Sequence, residues 1–342
     1  MKAVRFHEHG GAENLLYEEA PDPSIRGNEV LVRVRACALN HLDIWVRNGI
    51  PGVKIPLPHI LGSDIAGEVT QVGDLVTRPK IGDRILIAPG LSCGQCLPCL
   101  SGRDHLCRQY TIIGSRTDGG YAEDVKVPEV NVIPVPGALS FEEAAAIPLV
   151  FLTAWHMLVT KAGIKPGDEV LIIAAGSGVG SAAIQIAKLF GARVIATAGS
   201  DEKLSKAKAL GADLVINHST QDLAQEVRRL TDKRGVDIIV EHVGSAVWEK
   251  CLLSLAHGGR LVTCGATSGY EGRTDIRYLF SRQLSLMGSY MGSKGELLEL
   301  LPFFEQGKLK PVVDRALPLK EAPLAHRLLE ERKQFGKLVL TP

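Results

Sequence analysis

Four cysteines stand within fifteen positions of the sequence, at Cys93, Cys96, Cys99 and Cys107. Two-residue spacers let a looping chain wrap one ion, and four thiolates at ~2.3 Å suit the tetrahedral coordination of zinc. Four unrelated buried cysteines are the less favoured alternative. Because the protein would fill every coordination position, such a zinc is structural and not catalytic. We expect one zinc per chain, in a lobe of about residues 90–110.

A phosphate-binding turn is the second candidate for chemistry. The apolar run Val170–Ala174 leads into a stretch of small residues that ends at Gly180, and a helical pattern follows. Small residues let backbone N–H groups approach a pyrophosphate, and a helix N-terminus adds partial positive charge. Ala175 and Ser177 replace the first two glycines of the usual G-x-G-x-x-G spacing, so a purely structural turn is the alternative. The strand–turn–helix context favours a dinucleotide site at Ser177, Gly178, Val179 and Gly180.

The next strand candidate, Arg193–Ala198, bears on which cofactor binds. NAD enzymes usually place an acid at the end of this strand, where this chain has Ala198. Gly199 and Ser200 leave room for a 2′-phosphate, which Lys203 would neutralise. Two acidic residues at 201 and 202 argue for NAD(H). We predict NADP(H), with NAD(H) as the alternative.

Two folding patterns carry these motifs. Short strands with glycine turns dominate the first third, as in Glu29–Arg35, where Val30, Val32 and Val34 share one face. From residue 170 onward, six apolar strands alternate with helices, which is typical of a doubly wound parallel sheet. The fold class is therefore α/β, with a β-barrel domain at 1–150 and 293–342 and the sheet at 151–292.

Composition narrows the function. The chain has 342 residues, 45% of them hydrophobic and 23% charged, with a net charge of +1. A near-neutral chain of this kind favours a small-molecule substrate, with no nucleic acid and no membrane as partner. The N-terminus lacks the apolar core of a signal peptide, so we expect a cytoplasmic protein. Cys37, Cys251 and Cys264 are expected in the core.

Three further stretches are Gly62–Val69, Gly119–Glu123 and Ala144–Leu149. With the cysteine lobe and the order of domains, they resemble the medium-chain dehydrogenase/reductase superfamily of zinc-type alcohol dehydrogenases and quinone oxidoreductases. The resemblance covers essentially the whole chain. It implies a GroES-like β-barrel catalytic domain, a Rossmann domain, an active-site cleft between them, and a homodimer or homotetramer. Strand Ser285–Tyr290 should be the sheet edge that pairs.

The departures from this family concern its catalytic zinc. The family's Cys-His-x-Asp run reads Asn40-His41-Leu42-Asp43, and its Gly-His-Glu reads Gly62-Ser63-Asp64. The places of the Cys, His and Cys ligands therefore hold Asn40, Ser63 and Leu149. At these positions the chain resembles the quinone reductase branch, whereas the four-cysteine lobe belongs to the alcohol dehydrogenase branch. We expect no catalytic zinc.

The resemblance also implies roles for single residues. Asn40 donates a hydrogen bond to a substrate oxygen, caps the helix from His41 to Arg47, or does both. Asp64 anchors its neighbours or forms a plain salt bridge, and Thr153 lines the nicotinamide pocket. His41 contacts the cofactor pyrophosphate or lies at the surface, His218 stands on the adenine side, and the remaining histidines are expected at the surface. Loops at the ends of later strands supply the other cofactor contacts: His242, Val243, Gly244, Gly265, Ala266 and Thr267.

Three functions remain open at this point. The first is an NAD(P)H-dependent reductase of a small hydrophobic quinone, enone or carbonyl, in keeping with apolar side chains such as Trp45 and Leu57 in the expected pocket loops. The second is an alcohol or aldehyde dehydrogenase with a proton relay or an unusual metal site. The third is a non-enzymatic nucleotide-binding protein, because fold alone does not imply activity.

Overall fold

The computed structural model describes all residues from Met1 to Pro342. By their internal contacts they divide into two compact units, Met1–Leu149 with Ser293–Pro342, and Val150–Gly292. This division lies one residue before the boundary that the change of pattern predicts. None of the helices combines the length and the apolar character that crossing a bilayer requires.

The secondary structure consists of eighteen strands and eleven α-helices, with short 3-10 turns between some of them. The strands are β1 Lys2–Phe6, β2 Leu16–Glu19, β3 Glu29–Ala38, β4 His59–Ile60, β5 Asp64–Val72, β6 Arg84–Ile87, β7 Gly90–Leu91, β8 Thr111–Ile112, β9 Asp124–Pro128, β10 Val132–Pro134, β11 Glu169–Ile172, β12 Arg193–Ala198, β13 Leu214–Asn217, β14 Val236–Glu241, β15 Leu255–Thr263, β16 Ser285–Gly288, β17 Val313–Pro318 and β18 Lys337–Thr341. The helices are α1 His41–Asn48, α2 Leu97–Leu100, α3 Phe141–Ala145, α4 Pro148–Trp155, α5 Gly178–Leu189, α6 Asp201–Ala209, α7 Leu223–Leu230, α8 Trp248–Ser254, α9 Ile276–Ser281, α10 Lys294–Glu305 and α11 Ala322–Glu330. Helix α4 runs on into a π-helical turn, His156–Lys161.

The first unit is organised around β3. A seven-stranded sheet has the order β10-β6-β5-β3-β18-β17, with β9 also paired to β3. The predicted alternation along β3 is confirmed, since Val30, Val32 and Val34 are at most 2% exposed while Arg33 and Arg35 point to solvent. Two smaller sheets, β2-β1-β4 and β7-β8, complete the unit.

The second unit contains one parallel sheet of six strands in the order β13-β12-β11-β14-β15-β16. Numbered within the unit, this order is 3-2-1-4-5-6, that of a doubly wound dinucleotide-binding fold. Val170, Leu171 and Ile172 of the central strand β11 are fully buried, which explains their unbroken apolar run. Strand β16 lies at an edge of this sheet, where Ser285–Tyr290 was predicted.

Helix α8 and strand β17 differ from the sequence prediction. The sequence predicts a helix over 247–256, but α8 ends two residues earlier, at Ser254. It ends there because Leu255 pairs with Val236 and begins β15. Strand β17 was not predicted, since its residues Val313–Pro318 do not alternate clearly. It forms by parallel pairing with β18, which only the tertiary fold supplies.

The register of the first sheet brings distant residues together at one end. Ala38 of β3 pairs with Asp64, the first residue of β5. On the other side of β3, the N–H of Leu39 donates to the carbonyl of Leu338 at 2.9 Å. Asn40, Asp64 and Lys337 therefore lie at the same end of three adjacent strands.

Candidate functional site

A buried cluster of three polar side chains occupies this end of the sheet. Lys337 Nζ donates to Asn40 Oδ1 at 2.6 Å and to Asp64 Oδ2 at 2.8 Å. Asn40 Nδ2 donates to the same Asp64 oxygen at 3.0 Å. The three residues are 6%, 0% and 4% exposed in the order Asn40, Asp64 and Lys337. Such a buried ion pair is tolerated only where each charged group is hydrogen-bonded, as it is here.

The side chains in and beside this cluster can be compared with the ligands that a catalytic zinc requires. Asp64 uses its second oxygen as well, because Oδ1 accepts the N–H of Leu149 at 2.8 Å. Ser63 is fully buried and its hydroxyl has no partner. A neutral amide oxygen already bound to an ammonium, an un-ionised serine and a leucine make a poor ligand set for zinc. The residues present therefore do not fit a catalytic zinc.

Asn40 also begins helix α1 as its N-cap residue, in a capping box with Asp43, which is one of its two predicted roles. Its backbone N–H donates to Asp43 Oδ2 at 2.7 Å, while its side chain faces Lys337 and Asp64. Asp64 forms the salt bridge that was one of its two predicted roles. Lys337 was missed, because a lysine before the apolar run 338–340 gives no local sign of the buried ion pair that it forms.

Asp43 holds the backbone on both sides of the cluster. Besides the Asn40 N–H, it accepts the N–H of Gly62 at 3.2 Å and the hydroxyl of Tyr121 at 3.3 Å. Gly62 has φ +102°, and a Cβ there would lie 2.6 Å from Cys37 Sγ, so glycine is required. Burial raises the pKa of Asp43 to about 6.

A hydrogen-bonded chain continues from Asp43 into the C-terminal helix α11. Tyr121 OH lies 3.2 Å from His326 Nε2, and Arg47 Nη1 lies 3.1 Å from His326 Nδ1. Arg47 also pairs with Glu330. Because a guanidinium can only donate, Nδ1 of His326 accepts, Nε2–H donates to Tyr121, and Tyr121 donates to Asp43. Burial, and to a smaller extent the charge of Arg47, lower the pKa of His326 to about 3.

The expectation that the remaining histidines lie at the surface was wrong for three of them. His59, His156 and His326 are at most 2% exposed. Each belongs to an element that buries it: His59 begins the short strand β4, His156 begins the π-helical turn, and His326 lies on the inner face of α11. His59 Nε2 is bonded to the carbonyl of Gly114 at 3.0 Å. An isolated histidine carries no periodic signal that would have shown this.

The four cysteines of the predicted lobe meet at one point. Their sulfur atoms all lie within 4.8 Å of one another. Neighbouring sulfurs are 3.4, 3.6 and 3.9 Å apart, close to the ~3.8 Å edge of a tetrahedron with ~2.3 Å Zn–S bonds. Cys93, Cys96, Cys99 and Cys107 therefore fit a structural zinc.

The lobe is anchored to the C-terminal part of the first unit. Asp104, between the third and fourth cysteines, accepts the backbone N–H of Lys294 at 3.0 Å, and Lys294 Nζ lies 3.3 Å from its other oxygen. The same ammonium donates to the carbonyl of Gly90 at 3.0 Å. The start of helix α10 is thus tied to both ends of the lobe.

In the second unit the phosphate-binding turn has the expected construction. Helix α5 begins at Gly178, and Ser177 caps it by accepting the N–H of Gly180 at 2.9 Å. A Cβ at Gly180 would clash with the carbonyl oxygen of Ala174, so this glycine permits the close packing of helix on strand. Ser177 Oγ also lies 3.0 Å from His242 Nε2. With Val179 half-buried in the first helical turn, these residues fit a bound pyrophosphate.

The predicted adenosine-side residues lie together after β12 and β13. A Cβ at Gly199 would lie 3.2 Å from His218 Nε2, and the N–H of His218 donates to Ala198 at 3.1 Å. Ser200 caps α6 by accepting the N–H of Lys203 at 3.4 Å. Residue 198, at the end of β12, is alanine, so no carboxylate stands at this position.

The loops after the later strands are fixed by a residue that the sequence analysis missed. Glu241, fully buried at the end of β14, accepts the N–H groups of Val243 and Gly244, the latter at 2.6 Å. Its other oxygen accepts from the hydroxyl of Thr263 at 2.8 Å, and that hydroxyl lies 3.1 Å from the carbonyl oxygen of Gly265. Ala266 lies against Gly244, since a Cβ on that glycine would be 3.0 Å from Ala266 Cα, and Thr267 follows half-buried.

Two further predicted residues lie in helices α4 and α1. Thr153 is buried in α4, and its hydroxyl is 3.8 Å from Met291 Sδ. His41, the first residue of α1, is half-buried with its ring 6.2 Å from that of Trp45. Of the three other cysteines, Cys37 and Cys251 are buried as predicted, and Cys264 is half-buried.

Comparison with known proteins identifies the family. Residues 26–137 match the alcohol dehydrogenase GroES-like domain, and residues 178–306 match the zinc-binding dehydrogenase family. An NAD-dependent alcohol dehydrogenase of Sulfurisphaera tokodaii is 34% identical, over 100% of both chains. The human quinone oxidoreductase is 31% identical, over 99% of this chain and 97% of that protein.

Solved structures agree with this assignment. A crystal structure of an NAD-dependent alcohol dehydrogenase has a TM-score of 0.97 and 55% sequence identity, with 100% of both chains covered. These matches confirm the GroES-like domain and the Rossmann-type sheet that the resemblance implied. They also favour an enzyme over a non-enzymatic nucleotide-binding protein. The chain belongs to the medium-chain dehydrogenase/reductase superfamily of alcohol dehydrogenases and quinone oxidoreductases, and it is an oxidoreductase.

Proposed function

We propose that the chain reduces a small hydrophobic quinone, enone or other activated carbonyl with NAD(P)H and without a catalytic zinc. The buried ammonium of Lys337, 2.8 Å from Asp64 and 2.6 Å from Asn40, carries this proposal. A divalent cation bound by those oxygens would lie beside a fixed positive charge, and repulsion between charges is strong in a low-dielectric interior. The resemblance to quinone oxidoreductases supports the same branch.

The chemistry divides between cofactor and chain. A bound reduced nicotinamide would supply the hydride, and water would supply the proton that completes the reduction. The backbone N–H groups of Gly178 and Val179, which have no partner within the first turn of α5, bind the pyrophosphate. Asn40 Nδ2 donates to the substrate oxygen on which negative charge develops, giving up its long 3.4 Å bond to the carbonyl of Ala38. Electron-poor acceptors need little further stabilisation, whereas an unactivated alcohol would need a Lewis acid.

An alcohol or aldehyde dehydrogenase is the second candidate. It is favoured by the 55% identity to a structure of an NAD-dependent alcohol dehydrogenase. Such an activity without zinc would require a proton relay. Of the titratable side chains in this region, Asp64 is paired with Lys337, and Asp43 is fully buried and already accepts three hydrogen bonds.

For the cofactor we propose NADP(H) in preference to NAD(H). The turn after β12 offers Gly199, Ser200 and the half-buried Lys203, with no acid at position 198. The relatives named as NAD-dependent argue for NAD(H), so both cofactors belong in every assay. We also propose a cytoplasmic homodimer or homotetramer, paired through the edge strand β16.

A substrate panel tests the proposal. Quinones, enones, aldehydes and alcohols are assayed with NADPH, NADH and their oxidised forms. We expect reduction of quinones or enones to exceed oxidation of simple alcohols in kcat/KM. Faster oxidation of alcohols would instead establish the second candidate, and cofactor binding without any turnover would refute both.

A further inference from the structure

The Asn40 amide lies between a cation and an anion, and this fixes its orientation. An ammonium can only donate, so the amide oxygen must face Lys337. A carboxylate accepts, so the amide nitrogen faces Asp64, at 3.0 Å. Neither contact would survive if the amide were turned by 180°. The orientation therefore depends on a residue 297 positions away in the sequence.

We infer that Lys337 is a positioning residue that acts through Asn40: its ammonium holds the amide in one orientation and strengthens the amide N–H as a donor to the substrate oxygen. This role rests on the proposed function. A charged donor on an amide oxygen draws electron density from the amide, and hydrogen bonds in such a chain reinforce one another in a low-dielectric interior. The side chain of Lys337 is only 4% exposed, so water screens this effect little.

One amide hydrogen is available for this purpose. Asn40 Nδ2 carries two hydrogens, of which one is bound by Asp64 at 3.0 Å and the other by the carbonyl of Ala38 at 3.4 Å. The second bond is long and weak compared with the usual ~2.9 Å. A substrate oxygen that takes over this hydrogen displaces little, while the bonds to Lys337 and Asp64 keep the amide in place.

Asp64 holds both Lys337 and Asn40 in place. It neutralises Lys337 and accepts from Asn40 with the same oxygen, Oδ2. Its other oxygen is tied to the backbone N–H of Leu149 at 2.8 Å. The ion pair and its two partners thus come from four separate segments of the first unit, which suits a group that must not move during the reaction.

A double-mutant cycle tests the inference in the full-length protein. Lys337→Met should lower kcat for the preferred acceptor by about tenfold or more, with the KM for the cofactor changed by less than about twofold. Lys337→Arg keeps a charged donor and should recover most of the loss. Asn40→Ala should be about as slow as Lys337→Met. The double variant should be no slower than Asn40→Ala, because Lys337 acts only through that amide.

Controls separate this role from a structural one. Lys126→Met removes a lysine of the same unit that lies outside the site, bonded to the carbonyl of Ser24 and 3.7 Å from Glu29, and should leave kcat unchanged. If Lys337→Met does not fold, Lys337→Met/Asp64→Asn removes both charges and should fold while remaining slow. Parental kcat in either folded variant, no recovery by arginine, or multiplicative losses in the cycle would overturn the inference. A parent that turns over no substrate would instead refute the proposed function, and the inference with it.

Discussion

The buried His326 predicts a specific dependence of stability on pH. Its pKa of about 3 in the folded protein lies well below the ordinary value of 6.5. Such a group contributes stability that is present above pH 6.5 and is lost as the pH falls towards 3, because only the unfolded chain takes up the proton. Between pH 7.5 and 5.5 this amounts to a loss of about 1.4 kcal/mol in the free energy of unfolding.

The substitution His326→Gln isolates this contribution. Glutamine can accept from Arg47 and donate to Tyr121, so it keeps the hydrogen-bonded chain but does not titrate. Asp43 titrates in the same range, with a raised pKa of about 6, but it does so in both proteins and cancels in the difference. Urea unfolding followed by tryptophan fluorescence at pH 7.5 and 5.5 measures the two free energies. We expect the parent to lose about 1.4 kcal/mol more than the variant.

A control completes this experiment. His257 lies at the surface of the second unit, and His257→Gln should follow the parent at both pH values. Equal losses in the parent and His326→Gln would show that His326 takes up its proton in the folded state, and would refute the assignment of hydrogen-bond donors along the chain from Arg47 to Asp43.

Three further predictions concern zinc, cofactor and assembly. Cys99→Ser should release the structural zinc and loosen residues 90–110, as measured by metal content and hydrogen exchange; full metal content and unchanged protection would contradict the four-cysteine site. The parent should bind NADPH more tightly than NADH. Lys203→Ala should reduce that preference, whereas Lys208→Ala should not. Equal dissociation constants for the two cofactors in the parent would reject the predicted preference for NADPH. Light scattering at micromolar concentration should give at least the mass of a dimer, since β16 is a sheet edge, and a monomer mass would count against pairing there.

Local sequence was sufficient where a candidate site is formed by neighbouring residues. The spacing of Cys93, Cys96, Cys99 and Cys107 predicted that the four sulfur atoms meet at one point, because they lie within a single loop. The small residues before α5 likewise predicted the phosphate turn from a strand, a turn and a helix that follow one another. The apolar strands of the second unit predicted their sheet because each is buried on both faces.

The buried polar groups could not be predicted in this way. Lys337 and Asn40 meet only because β18 pairs with β3, and no local pattern shows that pairing. Tyr121 and His326 lie 205 positions apart, and His326 gave no periodic signal that would have placed it inside. Asn40 and Asp64 were found through the resemblance to the family, but their partners were not, since a lysine at the start of a strand is most often exposed.

The metal content of the purified protein tests the central claim most directly. After extensive dialysis, elemental analysis should find one zinc per chain, held by the four cysteines, and reduction of the preferred acceptor should be unaffected by a chelator that leaves this zinc in place. The ammonium of Lys337 beside Asn40 and Asp64 is the reason for this expectation. Two tightly held zinc ions per chain, with activity lost in step with the weaker one, would contradict the account and establish a zinc-dependent alcohol dehydrogenase.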